Sequence, residues 1–147
     1  GVPVYVDPKK ENFFAYQGVR LFKPNMAEFE SALGEYDDHK YFEDSGKELR
    51  KKLGTEILMV TRGERGISLF SNKGMHTIVT KARKVHDVSG AGDTAISAFV
   101  LADLAGATIE EAGQISNYAA GRVCEEVGVV PITLEMLHEI VEHYNDH

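Results

Sequence analysis

The chain has 147 residues, 43% of them hydrophobic, which is enough for one globular domain with a packed core and short for two. A formal net charge of -7, with no basic run longer than Lys9-Lys10 or Arg50-Lys51-Lys52, argues against a nucleic-acid-binding surface. The single cysteine, Cys124, excludes an internal disulfide. Neither a bilayer-length apolar run nor a basic-then-apolar leader is seen, so a cytoplasmic protein with no membrane partner is expected.

In chain order, Val2, Val4 and Val6 read as a short buried strand stopped by Asp7-Pro8-Lys9. Asp7 and Lys9 then stand at a strand's carboxyl end, where ligands of open α/β sheets bind, although an Asp-Pro turn explains them equally well. Phe13, Phe14 and Tyr16 lie in a connecting segment and are expected to pack against the sheet, and Val19 to Phe22 reads as a second strand. Asn25 followed by Glu28 is a capping box that opens a helix over Met26 to Leu33, ended by Gly34. Gly34 to Asp44 reads as irregular, Ser45 to Leu53 as a polar helix closed by Gly54, and Ile57 to Thr61 as an apolar strand. Thr61-Arg62-Gly63-Glu64-Arg65-Gly66 turns into a strand from Ile67 to Phe70, and a hairpin through Ser71 to Gly74 leads to an extended stretch up to Val85.

The segment Asp87-Val88-Ser89-Gly90-Ala91-Gly92-Asp93-Thr94 organises the rest, because apolar residues at helical spacing follow it from Ala95 to Leu104. A glycine-rich turn that opens a helix can aim several backbone N–H groups into one concavity at the positive end of the helix dipole, a cradle for phosphate. Asp93 beside such a cradle would repel a resting anion. It makes better sense as a general base taking the proton of a hydroxyl that attacks the phosphoryl group held there. The plainer alternative is an ordinary helix start, where the dipole favours aspartate. Beyond it, Thr108 and Glu111 form a second capping box. Ile109, Ala112, Ile115, Ala119, Val123 and Val127 make one face of a helix ending at Gly128, on which Asn117 sits among small residues. Cys124 on that helix reads as a small buried hydrophobe rather than a nucleophile. Thr133 caps a last helix bearing Leu134, Leu137, Ile140 and Val141, whose His138, His143 and His147 read as surface residues.

The run DVSGAGDTAISAFV, Asp87 to Val100, resembles the second signature of the PfkB, ribokinase-like carbohydrate kinases. Three other segments resemble that family in the same order: VDPK, KPNMAEFE with its Asn25-x-x-Glu28, and the turn from Thr61 to Gly66. The resemblance implies a ribokinase-like three-layer α/β/α sandwich and an ATP-dependent sugar kinase. In such an enzyme Asp93 is the catalytic base and the N–H groups of Gly90, Ala91 and Gly92 form the anion hole. Asn25, Thr61, Gly63 and Asn117 contact the nucleotide, and Glu28 acts on Mg²⁺ through water. A monovalent cation such as K⁺ would lie near Asp87, Ser89 and the loop from Val127 to Pro131. Within the family, KPNMAEFE and SNYAAGRVCEEVGVVPIT look most like the kinases that phosphorylate heptose 7-phosphate at its anomeric hydroxyl for ADP-heptose and lipopolysaccharide. Ala95 and Ile96 depart from the aromatic residue that most other members carry there.

Family members are longer. The resemblance therefore implies that residues 1–147 are the C-terminal, nucleotide-binding half of a kinase domain, expected to self-associate or to pair with an N-terminal half. The alternatives are a non-catalytic nucleotide-binding module and a kinase for another sugar.

Overall fold

The computed structural model describes residues 1–34, 38–80, 90–125 and 131–145. The chain divides into two compact units, Gly1–Thr77 and Ile78–His147. Asp87, Ser89 and the cation loop at 127–130 lie outside the described residues, as does the end of the extended stretch at 81–85.

The first unit is built on a sheet with strand order β1-β2-β3-β4-β5, comprising β1 (Tyr5–Val6), β2 (Leu21–Phe22), β3 (Ile57–Thr61), β4 (Ile67–Ser71) and β5 (Gly74–Ile78). β1, β2 and β3 are parallel, with Tyr5 opposite Leu21 and Leu21 opposite Ile57, while β4 returns antiparallel with Leu58 opposite Phe70. The first two strands are shorter than their apolar runs suggest, because Val2 and Val4 are exposed and only two residues of each strand join the ladder. Helix α1 spans Met26–Leu33 as the capping box requires. Helix α2 spans His39–Leu53 and starts well before Ser45, because Asp38 accepts a hydrogen bond from the Lys40 N–H and caps it.

One face of the sheet carries the core of this unit. Phe22, Leu58, Val60 and Phe70 meet Phe29 of α1 and Phe42, Leu49 and Leu53 of α2. The rings of Phe29 and Phe42 lie 5.2 Å apart and those of Phe42 and Phe70 5.6 Å apart, spacings at which tilted and edge-on aromatic pairs attract. Ile57 and Met59 point to the opposite face and are equally buried, as a near-continuous apolar strand in a parallel sheet demands. The connecting segment is split: Phe13 is buried against Phe22, whereas Phe14 and Tyr16 are partly exposed, with the Lys52 ammonium over the Phe14 ring. Gly46 stands in the buried stripe of α2, where a Cβ would run into the Phe70 ring.

The second unit is helical after the end of β5. α3 (Ala91–Leu104) and α4 (Ile109–Cys124) pack through small residues, Ala95, Ala98 and Ala102 on one and Ala112, Gly113 and Ala119 on the other, which lets the backbones approach closely. α5 (Leu134–Asn145) adds Leu137 and Ile140 to Ala98 and Ala119, with the Thr133 hydroxyl accepting from the Met136 N–H. Cys124 is half-buried rather than buried, and His138 is exposed as expected. Among the described residues, no helix is long and apolar enough to cross a membrane.

Replacing Gly46 by Ala should cost about 1–3 kcal/mol in urea unfolding, because the added methyl must displace Phe70 or α2. Gly121→Ala, where the new Cβ meets open space in α4, should instead stabilise by about 0.5–1 kcal/mol.

Candidate active site

β1 and β2 end at Val6 and Phe22, opposite Leu58, β3 runs on to Thr61, and the segments that leave this end bring several sequence-predicted residues together. The ladder continues past β2: the Thr61 N–H donates to the Pro24 carbonyl at 3.1 Å, and Asn25 bridges to Thr61. Asn25 and Thr61, far apart in sequence, are thus neighbours at the end where ligands of open α/β sheets bind. Asp7 follows β1 at the same end. Its Oδ1 lies 3.5 Å from the Nζ of Lys23, a lysine only 2% exposed. Sequence reasoning overlooked Lys23; the signal was a charged residue directly after an apolar strand and before Pro24.

The capping box exists in full. Asn25 Oδ1 accepts from the Glu28 N–H at 2.7 Å, and Glu28 Oε1 accepts from the Asn25 N–H at 2.9 Å. Asn25 Oδ1 and Glu28 Oε1 are therefore engaged, and among the described residues Oε2 of Glu28 has no partner. Among the described residues no three His, Cys, Asp or Glu side chains converge on one point. A magnesium ion here would take its ligands mainly from phosphate and water, the ion's usual habit, and the residues present fit that arrangement.

The turn after β3 is closed by its own backbone: the Arg62 N–H donates to the Gly66 carbonyl and the Gly66 N–H to the Gly63 carbonyl. Gly63 has φ 58° and Gly66 φ 87°, left-handed values that favour glycine at both positions. Between them and the sheet, the Arg62 guanidinium lies 4.4 Å from the Phe42 ring centroid and donates to the Ser68 hydroxyl at 3.2 Å. Desolvation, then the nearby Arg65 charge, lowers its pKa from the ordinary value, and it stays charged at neutral pH. Thr61 and Gly63 are therefore held on a turn anchored from behind.

In the second unit, α3 opens at Gly90, whose φ of 77° and ψ of -1° are left-handed and which has no side chain to cap the helix. The first intrahelical acceptor is the Gly90 carbonyl, taken by the Thr94 N–H at 2.9 Å. The N–H groups of Ala91, Gly92 and Asp93 precede that bond and have no acceptor within the helix. Asp93 is in the first turn and exposed, its carbonyl accepting from Ser97 Oγ at 2.8 Å, and among the described residues its carboxylate has no partner. Asn117, only 6% exposed, accepts at Oδ1 from the Thr80 hydroxyl at 3.0 Å and donates from Nδ2 to the Val79 carbonyl at 3.3 Å. Among the described residues, one amide hydrogen of Asn117 has no partner.

A model of the pfkB family carbohydrate kinases matches residues 1–135. The chain belongs to that family. It is 40% identical over 141 residues to the bifunctional protein HldE of Nitrosococcus oceani, a match covering 95% of this chain and 30% of that protein. It is 42% identical over 139 residues to HldE of Proteus mirabilis, covering 92% and 29%. This pfkB-family chain thus spans about three-tenths of the length of the curated relatives it matches. Among solved structures, phosphofructokinase-2 of Escherichia coli in complex with substrates and products superposes with a TM-score of 0.82 at 18% identity, covering 93% of this chain and 46% of that one. Arabidopsis thaliana ribokinase, complexed with ribose and ATP, gives 0.75 at 23% identity, covering 84% and 41%. The fold is the α/β fold of the ribokinase-like kinases.

Gly90→Ala should lower stability by about 1–2 kcal/mol, the cost of a left-handed residue with a Cβ, and should weaken ATP binding in calorimetry more than Gly106→Ala, which has a similar φ but stands at the far end of α3.

Proposed function

We propose that the chain is the nucleotide-binding, C-terminal half of an ATP-dependent sugar kinase that transfers a phosphoryl group to the anomeric hydroxyl of heptose 7-phosphate. The observation that carries this reading is the start of α3. Three first-turn amides without an intrahelical acceptor stand beside an exposed carboxylate, Asp93, in a chain of the pfkB family. The similarity to HldE proteins supports the heptose substrate.

The N–H groups of Gly90, Ala91 and Gly92 hold the migrating phosphoryl group and aim at charge that grows in the transition state. Asp93 accepts the proton of the sugar hydroxyl as the new O–P bond forms, and the bond to the β-phosphate oxygen breaks to release ADP. Thr61 and Gly63 contact the nucleotide from the anchored turn, with Asn25 beside Thr61. Bound Mg²⁺ would neutralise phosphate charge, with Glu28 orienting its water through Oε2. Potassium near Asp87 and Ser89 belongs to the same reading. The fully buried face of β3 contrasts with β1 at the edge of the sheet, where Val2 is 89% and Val4 51% exposed. That apolar edge is where an N-terminal half supplying the sugar contacts, or a second copy, would add.

The isolated chain should bind ATP weakly and release no ADP when heptose 7-phosphate is added, and robust sugar-dependent release would overturn the assignment of an incomplete half. Once complemented with an N-terminal half, Asp93→Asn should lower turnover by about two to four decades with nucleotide affinity retained. Unchanged turnover would remove Asp93 from the role of general base.

A further inference from the structure

Two consecutive residues of α4 are tied to opposite flanks of the segment that carries the glycine loop. Ser116, fully buried, donates from Oγ to the Ala95 carbonyl at 2.6 Å, one turn inside α3. Asn117 takes the other flank, through the Thr80 hydroxyl and the Val79 carbonyl just beyond β5. Residues 81–94 lie between the two attachment points. Serine and asparagine are indifferent helix formers, and a buried amide or hydroxyl costs stability unless its partners are in place. Asn117 uses its acceptor and one of its two donors on residues 37 and 38 positions away, and Ser116 reaches 21 positions back. A side chain whose main role was to read an adenine would keep its acceptor outward; here Oδ1 faces Thr80.

We propose that Ser116 and Asn117 form a bracket that sets the spacing between Val79-Thr80 and the first turns of α3, and so holds the amides at Gly90 to Gly92 to the phosphate. Both are positioning residues, acting through Ala95, Val79 and Thr80. The bracket rests on the phosphate-cradle reading above, and its signature is that it acts on phosphate whether or not a base is attached.

The test is calorimetric binding of inorganic tripolyphosphate and of ATP, each with Mg²⁺, to the chain and its variants below their melting temperatures. Thr80→Val and Asn117→Ala should weaken both ligands by the same factor, about three- to tenfold, the worth of one buried hydrogen bond. Ser116→Ala should behave alike, and Thr80→Ser, which keeps the hydroxyl, should restore wild-type affinity. Ile140→Ala, which removes core volume around Ala98 and Ala119 without touching the bracket, should lower the melting temperature and leave both affinities unchanged. Loss of ATP affinity in Asn117→Ala with tripolyphosphate unaffected would make Asn117 a base contact and overturn the bracket. So would equal weakening by Ile140→Ala, which would mark a general structural effect, or full affinity in Thr80→Val. In each of those cases the phosphate cradle survives. Wild-type chain that binds neither ligand would remove the cradle and the bracket together.

Discussion

A helix that begins at a residue without a side chain cannot cap itself, and the site depends on that constraint. Among the described helices, α1, α2, α4 and α5 start under the side chains of Asn25, Asp38, Thr108 and Thr133, each accepting a backbone N–H of the first turn. α3 starts at Gly90 with left-handed dihedrals and no side-chain acceptor. Within the helix its first amides have no acceptor, and they stand at the positive end of the dipole, an arrangement that suits an anion. A serine or aspartate cap at that position would add about a few tenths of a kcal/mol over glycine, a small stability that this helix start forgoes.

The sheet solves a different problem by register. Parallel pairing of β1, β2 and β3, with Tyr5, Leu21 and Ile57 in line, places residues 7, 23–25 and 61 together although they are spread over more than fifty positions. Short strands suffice, because each contributes only its carboxyl end. The ion pair of buried Lys23 with Asp7 places a cation and its counter-charge at that end, so the buried ammonium is not left unpaired. The capping box at Asn25 shows that one set of side chains can serve helix geometry and still leave an oxygen over, so structure and chemistry are not competing explanations there.

The alternation of side chains also explains why the turn after β3 is reliable. Arg62 faces the core side, stacked on Phe42 and bonded to Ser68, so its neighbours Thr61 and Gly63 are presented from a backbone held by α2 and β4. A rigid support behind a binding turn limits the ordering cost that a ligand would otherwise meet.

Signals local in the chain were legible from residues alone. The capping boxes at Asn25 and Thr108, the stop at Gly34, the strand Ile57–Thr61 and the glycine opening of α3 each depend on neighbours within four positions, and the family signature at Asp87 to Val100 is likewise one continuous run. Tertiary structure decided the rest. The start of α2 at His39, the exposure of Phe14 and Tyr16, the burial of Lys23 and the partners of Asn117 depend on which distant residues arrive beside them. Periodicity reports which face of an element is apolar; it carries no record of what that face, or a polar side chain within it, will meet once strands and helices have paired.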